Sequence, residues 1–179
     1  NFFVPEKHAL AFRLDPAYLV ELGPEFTSDL PRDLPFRVTF FFGRYGMGYH
    51  IGFSDIARGG WRTIICRSRD EYTTNTNTLF REVYVLAHTQ HLKNKDIYEG
   101  GSKLTVVLDA EEADSEEAVT NRLYKLQYGF VNAFLDIFVT EDGKAKKFNV
   151  VDYYGEDEPI ELGPDENMHD DMIEVIAQQ

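Results

Sequence analysis

The sequence predicts an α/β fold: a three-layer α/β/α domain built on a mixed sheet. Two observations carry this prediction. Val119, Leu123, Leu126, Phe130, Phe134 and Ile137 repeat at spacings of three and four, the period of one helical face. Short runs rich in β-branched and aromatic residues, such as Phe36–Phe42 and Leu104–Leu108, alternate with such helical stretches, so the helices should pack on a sheet. A chain of 179 residues that is 43% hydrophobic can bury one ordinary core, and residues 1–179 are therefore read as one domain.

Taken in order, residues 8–14 read as a strand, and Pro16 opens a helical turn through Leu22. A loop follows to Pro35. Phe36–Phe42 and Tyr49–Ile56 then make a hairpin, with Gly43, Gly46 and Gly48 between them. These glycines lack the G-x-G-x-x-G order, and the segment after them is strand-like, which argues against a nucleotide cradle. From Asp70 to Lys93, Leu79, Val83 and Leu86 fall on one helical face, and Gln90 and Lys93 continue the stripe toward an edge where a pocket can form. Leu104–Leu108 is a buried strand. Asp114 with Glu117 resembles a capping box opening the longest helix. A turn is expected at Glu141–Lys144, a strand at Asn149–Tyr153, a loop from Gly155 to Asp165 and a helix from Asn167 onward.

The formal net charge of −13, with no basic cluster to offset it, disfavours nucleic acid as a partner. Ten acids and no Lys or Arg fall between residues 150 and 179, leaving −3 for the rest; such a run is expected to be solvated surface. No stretch approaches the roughly 18 apolar residues of a membrane span. With Cys66 alone and no Asn-x-Ser/Thr, a cytoplasmic or organelle-lumen setting is expected, with the mitochondrion as the alternative in a eukaryotic source. The chain starts without Met and stops in a helical pattern, as a segment of a longer protein does.

Two glycine pairs, Arg58-Gly59-Gly60-Trp61-Arg62 and Gly100-Gly101-Ser102-Lys103, each combine close backbone access with a fixed cation. With Lys93 they put cations on three loop or helix-end positions of an acidic protein, a grouping that suits a small dicarboxylate. His88 and His91 lie three apart on one helix, but nothing at a convincing spacing completes a metal site. Cys66 lies near several arginines and is expected to be a small buried apolar residue.

The stretch Asp55-Ile-Ala-Arg-Gly-Gly-Trp-Arg, the run Thr89-Gln-His-Leu-Lys-Asn-Lys-Asp-Ile, Glu99-Gly-Gly-Ser-Lys and Gly163-Pro-Asp-Glu-Asn occur in this order. Together they resemble the substrate-binding and dimerisation domain of NAD-specific glutamate dehydrogenases of the long-chain type, within the Glu/Leu/Phe/Val dehydrogenase family. The resemblance covers roughly residues 36 to 170. It implies oxidative deamination of L-glutamate to 2-oxoglutarate and ammonia. Arg58, with the Gly59 backbone, would meet the γ-carboxylate; Lys93, helped by Gln90, the α-carboxylate. Lys103 would be the catalytic lysine and Asp165 the proton carrier. It also implies NAD held by a Rossmann domain that these residues lack, and self-association through this domain, with Phe36–Phe42 as a candidate edge. Two departures stand out: Tyr98 stands where the family often has proline, and Leu104 follows Lys103 where the family usually has glycine, so that its side chain is expected to narrow the approach to the lysine. The loss of that glycine favours the rival reading, a non-catalytic amino-acid-sensing or oligomerisation module.

Overall fold

The computed structural model describes residues 7–147 and 149–179. Its elements in chain order are β1 (Ala9–Leu14), α1 (Tyr18–Glu21), α2 (Pro24–Thr27), β2 (Arg37–Gly43), β3 (Gly46–Gly52), β4 (Ala57–Cys66), α3 (Arg69–Lys93), β5 (Gly100–Asp109), α4 (Glu116–Phe138), β6 (Thr140–Glu141), β7 (Lys144–Ala145), β8 (Ile160–Glu166) and α5 (Asp170–Ala177). Six strands form one sheet in the order β1-β2-β3-β5-β4-β8. The pairs β4/β5 and β4/β8 are parallel and the others antiparallel, so the sheet is mixed as predicted.

Topology explains the layers. The connection from β4 through α3 to β5 crosses the sheet in one direction, and that from β5 through α4 to β8 crosses back. Connections of one hand that travel in opposite directions put their helices on opposite faces. Accordingly Leu79, Val83, Tyr84 and Ala87 of α3 pack with Val38, Ile51 and Val107 on one face. On the other, Leu123, Leu126, Phe130 and Phe134 of α4 pack with Phe41, Trp61, Leu104 and Leu108. The whole predicted stripe of α4 is buried.

Several boundaries differ from the sequence reading, each for a local reason. β3 begins at Gly46 because its glycines lie inside the strand: a Cβ on Gly46 would sit 2.0 Å from the Val107 carbonyl oxygen of β5. The α4 cap is Ser115, whose Oγ accepts from the Ala118 amide at 3.1 Å, one residue after the expected Asp114. Asn149–Tyr153 is not a strand. There the Asp152 carboxylate accepts from the Tyr154 and Gly155 amides, a local turn that competes with strand pairing. The strand lies instead in the expected loop, as β8, an edge position that tolerates Pro164. Phe36–Phe42 is no free edge, since β1 pairs along β2. No described helix is long and apolar enough to cross a membrane.

The acidic C-terminal run is not all solvated surface. Glu158 is buried, accepting from Arg37 Nε at 2.8 Å and from Arg13 Nη1 at 2.8 Å, and so ties the entry of β8 to β1 and β2. Beside this cluster His50 is fully buried against Phe134, and neither ring nitrogen has a partner among the described residues. Burial, reinforced by the Arg37 charge, pushes its pKa down to about 3.

Two outcomes are expected. Glu158→Ala leaves Arg37 buried without a counter-charge and should cost about 3–5 kcal/mol in urea unfolding, while Glu161→Ala at an exposed site of β8 should change stability by less than about 0.5 kcal/mol. Because His50 binds a proton in the unfolded chain below its ordinary value of 6.5 but in the folded chain only below about 3, it should subtract stability as pH falls through that window. Unfolding free energies measured from pH 7 to pH 4 should therefore slope less for His50→Leu than for the parent.

Candidate functional site

The parallel register of the sheet sets three residues side by side: Lys103 of β5, Gly60 of β4 and Gly163 of β8. Two of them lack a side chain, so on the α3 face Lys103 rises from an otherwise bare floor. The C-terminal turns of α3 form a wall over it, and the resulting cleft of about 340 Å³ is lined by Leu86, Gln90, Lys93, Lys103 and Asp165 among others. The Lys103 ammonium pairs with the Asp165 carboxylate; the lysine side chain is 14% exposed and the aspartate 46%.

Helix and strand are joined at close range. Gln90 Nε2 donates to Asn94 Oδ1 at 3.0 Å, and Asn94, capping α3, donates from Nδ2 to the Gly100 carbonyl at 3.3 Å. The Gly101 amide donates to His91 Nδ1 at 3.3 Å, and a Cβ on Gly101 would lie 1.9 Å from the His91 amide nitrogen. Lys93 is exposed in the cleft and has no ion pair among the described residues.

Of the six residues singled out from the sequence, Gln90, Lys93, Lys103 and Asp165 line this cleft. Arg58 does not. It lies on the same sheet face as Gly60, two residues earlier, and its Nε is 3.2 Å from Glu99 Oε2, with the arginine side chain 43% exposed. None of the three cations of the glycine motifs, Arg58, Arg62 and Lys103, sits on a loop, because β4 and β5 are strands that begin at Ala57 and Gly100. A Cβ on Gly59 would sit 1.7 Å from the Ser102 carbonyl oxygen, so the absence of a side chain there serves strand packing. Gly60 is the glycine that faces the charges, with Lys103 Nζ and Asp165 Oδ2 each 3.2 Å from where its Cβ would be. Leu104 points to the opposite face, wholly buried in the α4 core, and leaves the approach to Lys103 open.

Glu99 and the glycine floor were missed. Period-two alternation through Arg58, Gly60 and Arg62 was a usable signal for a strand. The facing of Arg58 and Gly101, which brings Glu99 near, depends on pairing that no local pattern carries. The histidines are engaged elsewhere, His88 Nε2 with Asp33 Oδ2 at 2.8 Å and His91 with Gly101 and the Phe53 ring. Cys66 is buried, and burial, with Glu71 and Asp109 nearby, pushes its thiol up to about 11. A wider groove of about 710 Å³ among β1, α1, α2 and α3 is lined mainly by Leu, Tyr and Phe and gathers no comparable set of cations.

Residues 2–166 match the family described as bacterial NAD-glutamate dehydrogenase, catalytic domain. The chain belongs to this family. It is 38% identical over 170 residues to the NAD-specific glutamate dehydrogenase of Neurospora crassa, a match covering 95% of this chain and 15% of that protein. Glutamate dehydrogenase 2 of Dictyostelium discoideum is 37% identical over 172 residues, covering 96% and 15% respectively. The NAD-specific enzyme of Saccharomyces cerevisiae is 36% identical over 166 residues, covering 93% and 14%. The chain thus spans about one-seventh of the length of these glutamate dehydrogenases. Neither turn into a long helix has the glycine spacing that lets a backbone approach a pyrophosphate, and Glu111, Glu112 and Asp114 precede α4.

The glycines of β4 offer a direct check on this geometry. Gly59→Ala must push β4 from β5 and should lower stability by about 1–3 kcal/mol. In Gly60→Ala only the mobile ends of Lys103 and Asp165 need yield, so its thermal midpoint should match the parent within what about 0.5 kcal/mol allows.

Proposed function

We propose that this chain is the glutamate-binding and proton-transfer part of an NAD-dependent glutamate dehydrogenase of the long-chain type, which oxidises L-glutamate to 2-oxoglutarate and ammonia. The observation that carries the reading is the meeting of Lys93, which has no ion pair among the described residues, with a lysine–aspartate pair, Lys103 and Asp165, in one cleft.

Lys93 supplies a point charge for the α-carboxylate, and the Gln90 amide, held by Asn94, adds polar capacity one turn away. The bare floor at Gly60 and Gly163 allows the α-carbon to lie flat beside Lys103. The Lys103 ammonium then polarises the carbonyl oxygen of the keto acid, or orients the water that attacks the iminium carbon. Asp165, in contact with that lysine, takes a proton from the substrate ammonium and returns it to the leaving amine. Arg58 receives the γ-carboxylate by exchanging it for Glu99, so the distal charge of the substrate replaces a carboxylate already present. NAD, the oxidant of this reaction, is assigned to residues of the longer protein outside this chain. Self-association is proposed along β1, the sheet edge away from the cleft. Leu104 faces the core and not the cleft, which supports the catalytic reading over a non-catalytic sensing module.

Calorimetric titration of the full-length parent with 2-oxoglutarate tests the assignment. Lys93→Ala and Arg58→Ala should each weaken binding by about 1.5–3 kcal/mol, roughly tenfold or more, and Lys103→Ala should abolish turnover while binding persists. Unchanged affinity in both binding variants would remove the cleft as the substrate site.

A further inference from the structure

β8 carries a bulge at the edge of the cleft. Trp61 pairs with Pro164 and Arg62 with Glu166, so Asp165 is the additional residue. A bulge sets two consecutive side chains against one position of the partner strand. Here both are carboxylates and two cations meet them: Glu166 pairs with Arg62, and Asp165 with Lys103. Which acid reaches the lysine is therefore decided by the register of the bulge.

That register is fastened immediately beyond it. Asn167 has a φ of +54°, a left-handed conformation that asparagine accepts more readily than most residues. Its Nδ2 donates to the Thr63 carbonyl at 2.7 Å, one residue past Arg62 on β4. From the opposite face of the sheet, Gln127 of α4 donates from Nε2 to the Asn167 carbonyl at 2.8 Å and to Thr63 Oγ1 at 3.1 Å. Gln127 is wholly buried and its Oε1 has no partner among the described residues. A buried amide in an apolar helix stripe is costly, and core packing alone would be better served by a hydrocarbon of similar size.

This inference rests on the reading of Asp165 as proton carrier. We propose that Gln127 and Asn167 are positioning residues of the dehydrogenase reaction: they clamp the end of β8 to Thr63 so that Asp165, and not Glu166, faces Lys103. The clamp acts through the sheet, from the α4 side to the cleft on the α3 side. It touches neither Lys93 nor Arg58, so it governs proton transfer separately from carboxylate binding.

The test is glutamate oxidation by the full-length parent enzyme across a pH series, for Gln127→Met, Asn167→Gly and Asp165→Asn. Gln127→Met keeps the volume and removes the donated hydrogen bonds; Asn167→Gly keeps the left-handed backbone and removes the donor. Both should lower kcat by roughly 10- to 100-fold, with KM for glutamate nearly unchanged and the pH–kcat profile displaced. Asp165→Asn should abolish turnover. If Asp165→Asn is inactive while both clamp variants keep the parental kcat and pH profile, positioning is overturned and the proposed site stands. If Asp165→Asn turns over normally, the site reading fails and the clamp with it. Should Gln127→Met not fold, Asn167→Gly decides, and a lowered thermal midpoint with parental kcat and pH profile overturns the proposal.

Discussion

The cleft depends on the missing side chain at Gly101. The last turn of α3 rests on β5 so closely that the His91 amide occupies the space a Cβ would need. Any larger residue lifts the helix end, and with it Gln90 and Lys93, away from Lys103. The spacing between Lys93 and the lysine–aspartate pair is thus set by backbone contact, reinforced by Asn94 at the helix cap. Rigid elements hold a constellation more closely than loops do, and here every member is on a helix or a strand.

Charge is arranged on the same principle of local balance. The chain as a whole is strongly acidic, yet Arg58, Arg62 and Lys103 gather around the cleft, each beside a carboxylate of its own. Lys93, in the same cleft, has no ion pair among the described residues. On the proposed reading, a dicarboxylate entering such a place would meet the Lys93 charge at once and would compete with Glu99 for that of Arg58. Away from the cleft, Glu158 serves two arginines in the interior, where the cost of desolvating charge is met by direct hydrogen bonds.

Patterns with a short period were legible in the sequence. The stripe of α4, the polar continuation of α3 through Gln90 and Lys93, and the alternation of helices with strands all survive in the fold. Four of the six chosen residues line one cleft, because three sit in compact motifs at the end of α3 and in β5, and Asp165 follows a Gly-Pro pair of the edge strand. What was not legible depended on partners distant in sequence. Strand β4 was hidden by its glycines, which weaken strand preference locally but permit close contact with Ser102. The strand expected at Asn149–Tyr153 was displaced by the turn that Asp152 builds, and the placement of Arg58 beside Glu99 followed only from the pairing of β4 with β5.

β8 has a strand neighbour on one side only. Elements at a sheet margin open more readily than those at its centre, and such opening needs no global unfolding. Lys103 lies on the interior strand β5 and Lys93 on α3, whereas Asp165 lies on the marginal strand β8. On the proposed reading, the groups that would receive the anion and the acid that would move the proton are thus carried by different parts of the same sheet, so local opening of β8 would remove the acid and leave the cations.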